Sequence, residues 1–298
     1  MAMRVSTFGQ SSSLLQQALA TQAKLAEKQA QQSSGLISSS YAGLGSDAGQ
    51  LVNLEVSISR SNSYISASEQ AVTRIEMMYS ALGSINDILT EARAAVTAVA
   101  SGDETDTLQS LAQSYLEDIA SYLNTRYEGR YLFSGSETEV TPVDLENYVA
   151  TDLTTDNTDY YQGDDTIISV KAASDRTISY GITADSEGLE KALRALSYLA
   201  NADPLDTDEL SDITDLLIEA QDAVIALQSG LGFKSSTLEN IIASEEDFVA
   251  SASEMTTDLS SVDIAAVAVE AANYETQLEA SYAALGKLND LSLLDYLR

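Results

Sequence analysis

Residues 51–99 read LVNLEVSISRSNSYISASEQAVTRIEMMYSALGSINDILTEARAAVTAV. Stepping alternately by three and four from the first of them picks out Leu51, Leu54, Ile58, Ser61, Ile65, Ser68, Val72, Ile75, Tyr79 and Leu82. That is the 3-4 seam of a coiled-coil helix, sustained over more than four heptads. It continues as Ile85, Leu89, Ala92, Val96 and Val99, with a step of three from Leu82 to Ile85 where four is due. The spacing therefore predicts a phase slip there, with a change of packing partner or supercoil. A helix of this length spans about 75 Å at 1.5 Å per residue. A stripe so long needs partners of similar length.

The C-terminal end supplies a second seam: Ile264, Val267, Ala271, Tyr274, Leu278, Ser281, Leu285 and Leu288. Near the N-terminus, residues 11–33 form a helix with a thin apolar side around Leu14, Leu15, Ala18, Leu19 and Leu25, so it requires a partner to be ordered. The Gly- and Ser-rich residues 34–50 read as a linker or hinge. The long helix is expected to stop near Gly102, and a helix over 107–125 to fold back on it through Leu108, Leu111, Tyr115, Ile119 and Tyr122.

Glycines then bracket the aromatic run Gly129-Arg-Tyr-Leu-Phe-Ser-Gly135, which reads as a strand. Up to about Ser186 the pattern is β-rich: Ile167 to Val170 is β-branched, and Ile178, Tyr180 and Ile182 alternate with polar residues. Helices return through Leu189 to Leu199, ended by Asp203-Pro204. Another runs through Leu210 to Leu227, up to Gly230-Leu-Gly232, and a third from about Ser235 to Leu259. The fold expected is mainly α with a small β-rich insertion, an elongated hairpin of long helices. Residues 1–45 and 260–298 make a terminal coiled coil, 46–135 and 187–259 a helical bundle, and 136–186 an outer β-rich tip.

Composition narrows the chemistry. The 298 residues include no Cys, no His and no Trp, and carry a formal charge of −31. Without Cys there are no disulfides, and without His the commonest general base and transition-metal ligand are missing. Catalysis is not expected, nor any cofactor. The charge disfavours nucleic acid, whose phosphates demand clustered Lys and Arg. It is concentrated in residues 137–222, where 21 acids face four bases, whereas residues 1–50 hold two acids and three bases. No apolar run suffices for a transmembrane helix, and the first residues lack the h-region of a secretory signal.

Sharper readings compete with plainer ones. Asp156, Asp159, Asp164 and Asp165 could hold Ca²⁺, but no EF-hand spacing is present and a solvated acidic face is the default. No carboxylate pair is singled out for glycoside hydrolysis. Gly43-Leu-Gly-Ser lacks the Lys of a phosphate loop. Tyr64, Tyr79, Tyr115, Tyr122 and Tyr127 lie at helical spacing and read as bundle core and rim.

Particular words within this layout resemble the bacterial flagellin family. Ser33-Ser-Gly-Leu36 followed by Asp47-Ala-Gly-Gln50 is similar to its N-terminal signature, and Ser260-Ser-Val-Asp-Ile-Ala265 before an Ala-rich helix is similar to its C-terminal one. Gly129 to Gly135, Tyr160-Tyr-Gln-Gly-Asp164 and the closing Leu291-Ser-Leu-Leu-Asp-Tyr-Leu297 resemble its hook-associated protein 3 branch, the adaptors between hook and filament. The resemblance implies a structural subunit exported unfolded through the flagellar type III apparatus, with an export chaperone. It would assemble outside the cell with itself, hook-associated protein 1 and flagellin, its paired terminal helices innermost. Self-assembly is then expected of Leu14, Leu15 and Leu19 at one end and Ile264, Val267, Leu278, Leu285 and Leu288 at the other. A short filament flagellin, a non-flagellar coiled-coil module and a surface glycan-binding or hydrolytic protein built on the β insertion stay open as alternatives.

Overall fold

A computed structural model describes residues 2–99, 105–202 and 205–296. Helix α1 (Ala2–Ser34) is followed by a 3₁₀ segment (Tyr41–Asp47), then α2 (Ala48–Val99) and α3 (Thr105–Leu123). Four short strands come next: β1 (Arg126–Tyr127), β2 (Arg130–Tyr131), β3 (Ser169–Lys171) and β4 (Thr177–Ser179). Helices α4 (Glu187–Asn201), α5 (Thr207–Ser260) and α6 (Ile264–Tyr296) complete the chain. The expected stop signals at Gly102 and Pro204 lie outside the described residues.

The chain forms two compact units, one made of residues up to 59 together with those from 250 onward, the other of residues 60–249. In the second, one hydrophobic core joins α2 from Ala71 to Val96, α3, α4, the first two-thirds of α5 and the β-rich stretch between α3 and α4. Its α2 seam is Ser68, Ala71, Ile75, Met78, Leu82, Ile85, Leu89, Ala92 and Val96, every member buried. The step from Leu82 to Ile85 is in phase, so the expected slip there is wrong. Reading Val72 and Tyr79 into the seam created it. Val72 is only half-buried and Tyr79 exposed, because each stands one place beyond a smaller or more flexible residue that fits the interface better. The change of phase lies further back, between Ile58 and Tyr64, where the half-buried positions change register.

Helices α2 and α5 run antiparallel here. Arg93 Nη1 donates to Gln221 Oε1 (2.5 Å), Gln221 Nε2 to Thr90 Oγ1 (2.8 Å), and Gln228 Nε2 to the Tyr79 carbonyl (3.1 Å). Two helices were expected either side of Gly230-Leu-Gly232, yet α5 is continuous across it. Its buried seam explains why: Leu210, Leu217, Val224, Leu231 and Leu238 recur every seven residues, and the apolar contact outweighs two weak helix formers. Helix α3 folds back on α2, and the half-buried Tyr115 hydroxyl is raised above its ordinary value by burial and by the nearby Glu91 carboxylate. The tyrosines Tyr64, Tyr79, Tyr115, Tyr122 and Tyr127 are all half-buried or exposed, hence rim and not core.

The run from Gly129 to Gly135 is not one strand. β1 and β2 form a two-residue hairpin, Arg126 opposite Tyr131, turning on Glu128 (φ 50°) and Gly129 (φ 79°). Positive φ at both central residues gives the turn whose twist suits a tight hairpin. Leu132 to Gly135 then thread the core: the Phe133 carbonyl accepts from the Ala184 N–H (2.9 Å), and the Ser134 carbonyl from the Asp164 N–H (3.2 Å). Gly135 (φ 69°) lies so close to Asp164 that any Cβ would collide with it. Phe133 and Tyr160 are fully buried, and Tyr160 meets Tyr148 edge-on with centroids 5.0 Å apart. β3 and β4 pair in antiparallel, Val170 opposite Ile178.

The acidic stretch is fastened, not loose. Arg194 on α4, almost fully buried, pairs with Glu190 through Nε (3.0 Å) and with Asp156 (3.2 Å), and donates to the Leu153 carbonyl (3.1 Å). Glu190 also accepts from the Asn157 N–H (2.9 Å); burial pushes its carboxyl up, against the pull of that N–H and of Arg194. Asp164 accepts from the Ser136 N–H and hydroxyl and from the Thr166 hydroxyl, holding its carboxyl down at about 2. Among the described residues no group of three or more His, Cys, Asp or Glu could hold a metal ion, and no helix is long and apolar enough to cross a membrane.

Candidate self-assembly surface

The first unit is built on the pairing of α1 with α6. Each has 33 residues, about 50 Å of helix. They run antiparallel: Lys28 Nζ meets Glu270 at 2.7 Å, and Lys24 stands over the Tyr274 ring, 5.8 Å from its centroid. The hydrogen bond to Glu270 raises the Lys28 ammonium above its ordinary value.

Side chains of α6 follow the expected seam. Val267 and Ala271 are buried, and Tyr274, Leu278, Ser281, Leu285 and Leu288 half-buried, on a side that faces α1. On α1 the covered positions from Ser11 to Gln31 are Ser11, Leu14, Ala18, Thr21, Leu25, Lys28 and Gln31, again spaced three and four. Five of those seven are small or polar, so apolar periodicity alone does not show the pattern. The eight candidate assembly residues consequently divide. Val267 is buried within the pair; Leu14, Leu278, Leu285 and Leu288 are half-buried along it. Leu15, Leu19 and Ile264 are 50%, 56% and 54% exposed on its outer sides, with Val269 and Tyr282 of α6 also exposed.

What ties the pair together is a segment that the sequence presents as a linker. Gly35 (φ 72°) ends α1 in the left-handed conformation, its N–H bonded to the Gln31 carbonyl (2.8 Å). Leu36 then forms an antiparallel bridge with Ser261: the Ile37 N–H donates to Ser260 O (2.7 Å) and the Val262 N–H to Gly35 O (2.9 Å). The buried Gln31 side chain reaches the Ile37 carbonyl (2.9 Å). Asp263 begins α6, its carboxylate accepting from the Ala265 and Ala266 N–H groups at 2.9 and 3.1 Å. The cap was available to inspection, since an Asp directly before an apolar helical run is a start signal. Tyr41-to-Asp47, expected to be hinge, is a 3₁₀ segment kinked at Gly45 (φ 59°, ψ −121°), and its Tyr41 hydroxyl bonds Glu55 on α2 (2.7 Å).

Among its described residues this unit holds no cluster of His, Cys, Asp or Glu that could bind a metal ion. It offers paired long helices whose outer sides keep large apolar residues in water, alongside Leu36, Ile37, Tyr41, Val52 and Val56. Exposed large apolar residues are the raw material of a surface for protein contact.

Comparison with known proteins agrees with this architecture. Residues 5–138 match the family model of the bacterial flagellin N-terminal helical region, and residues 214–297 that of its C-terminal helical region. No curated protein matches the chain. Among solved structures, a putative flagellar hook-associated protein from Vibrio parahaemolyticus is similar at 19% identity and a TM-score of 0.60, over 72% of this chain and 97% of its own. FlgL from Bacillus cereus is similar at 19% identity and TM-score 0.52, over 72% and 98%. FlgL from Xanthomonas campestris gives 12% identity and TM-score 0.52, over 68% and 98%. The chain belongs to the bacterial flagellin family and is a structural protein of the flagellum, not an enzyme, with the fold of these hook-associated proteins.

Proposed function

We propose that this chain is the hook–filament junction subunit of an extracellular flagellum, exported unfolded through the flagellar type III apparatus. The observation that carries the reading is the α1–α6 pair, whose outer sides leave Leu15, Leu19, Ile264 and Val269 half exposed or more. A covered seam makes the pair; uncovered apolar residues on its far sides make a pair that packs against copies of itself. Contacts that repeat head to tail without closing build a tube. Residues 1–45 and 260–298 then form the innermost part, 46–135 with 187–259 the supporting bundle, and 136–186 the outer tip. Its neighbours are hook-associated protein 1 on one side and flagellin on the other, with a chaperone covering the terminal helices before export.

Supporting the branch assignment, Gly135 and Asp164, from the two central motifs of the resemblance, lie against each other at the edge of the core. Removing residues 264–298 is the test. The shortened chain is expected to keep the core of residues 60–249 folded, by circular dichroism, and to lose sedimentable polymer. A truncated chain that polymerises like the full one overturns the reading. Labelled microscopy of intact cells separates a thin band at the junction from staining along the whole filament, which would indicate a filament flagellin.

A further inference from the structure

Three glycines lie inside the two long helices at one level of the α2–α5 pair. Gly83 of α2 faces Gln228 of α5: a Cβ there would stand 3.2 Å from Gln228 Nε2, the atom that donates to the Tyr79 carbonyl. Packing thus accounts for Gly83. It does not account for its neighbours across the interface. A Cβ on Gly230 would meet nothing within 4 Å, and one on Gly232 would only touch the Tyr79 ring at 3.8 Å, ordinary contact. Alanine fits both places without strain. Each glycine lowers the local helix equilibrium about fivefold relative to alanine. Beside them Phe233 is 76% exposed, the most exposed large apolar side chain among the described residues, and Tyr79 is 46% exposed.

The buried side of α5 shows no such weakness, since Leu231 and Leu238 are fully buried. Weak helix on the solvent side over a strong seam on the core side is the arrangement of a joint. It lets a helix bend while its inner contacts stay in register. We propose that Gly230–Gly232 is a flexural joint of α5, closed in the free chain by the Gln228–Tyr79 hydrogen bond and bent when the subunit packs into its assembly. The role in assembly rests on the reading proposed above; the joint itself does not.

Hydrogen exchange on the full-length monomer tests it. Amides of residues 230–234 are expected to exchange about 25-fold faster than those at 222–226 and 236–240, the combined effect of two glycines. In the G230A/G232A variant that excess falls to about threefold or less. A flat profile across 222–240 in the unaltered chain overturns the joint, as does an excess that persists in the variant. Elongation from preformed seeds then tests the role: the double variant, equally helical, should add about tenfold more slowly. Addition at the unaltered rate overturns the role. If the unaltered chain itself does not elongate, the assembly reading fails and the role with it, while the exchange profile still decides the joint.

Discussion

Gly35 and Val262, 227 positions apart in the sequence, are joined by a 2.9 Å hydrogen bond from the Val262 N–H to the Gly35 carbonyl. Each lies in one of the two terminal motifs that carry the family resemblance. The motifs are thus two halves of one structural clasp, set where α1 ends and α6 begins. Gly35 is fixed by its φ of 72°, a region where a Cβ meets the neighbouring carbonyl. Gly35→Ala is expected to cost about 1–2 kcal/mol. Limited proteolysis of the monomer should show both terminal helices released together. Release of α1 alone would contradict the clasp.

Asp263 sets the first turn of α6. Asp263→Ala should weaken that helix by about 1 kcal/mol, whereas Asp263→Asn, an equally good cap, should be nearly neutral. Lys287 lies on α6 and reports on it. Tryptic cleavage there should accelerate several-fold in the alanine variant and little in the asparagine variant. Equal acceleration in both would make the effect one of charge.

Asp164 gives the acidic stretch a pH dependence. Its carboxyl is held at about 2 against an ordinary 3.8 by the Ser136 and Thr166 donors. A depressed carboxyl contributes stability that is complete above its unfolded value and disappears as pH falls from about 4 through about 2. Thermal unfolding from pH 6 to pH 2 should therefore show the unaltered chain ahead of Asp164→Asn at pH 6 and level with it near pH 2. A constant difference would remove Asp164 from the acid response.

Glu190 and Arg194 are 4% and 3% exposed, so neither charge is tolerable alone. Glu190→Ala should cost less than the about 3–5 kcal/mol of stranding a buried partner outright, because Arg194 keeps Asp156 at 3.2 Å. Replacing both by Leu should cost less than the single change, because no uncompensated charge is left behind. Denaturant unfolding checks the order, and exchange of the 152–157 amides checks whether the acidic loop loosens with the pair.

Much of the fold was legible along the chain. The 3-4 spacing of apolar residues gave the long helices, and the absence of Cys and His ruled out most chemistry, because these follow from local period and residue type. The seam of α6 was read almost completely, since seven of its eight members are covered and mostly apolar. That of α1 was not, since Ser11, Thr21 and Lys28 are covered by a neighbour's shape and charge instead of by their own apolarity.

Tertiary structure decided the rest, for reasons that no local window contains. Whether Val72 or Ala71 faces the core depends on the room left by the opposing helix, and with it the phase of the α2 seam. Continuity of α5 through Gly230 and Gly232 depends on burial of Leu231 and Leu238, a term larger than helix propensity. The supposed linker after Ser34 is structured because its backbone finds partners at Ser260 and Val262. Sequence by itself determined the helical periods, the family words and the acidic surface. Only the packed structure determined which side of each period is covered, and therefore which apolar residues remain exposed.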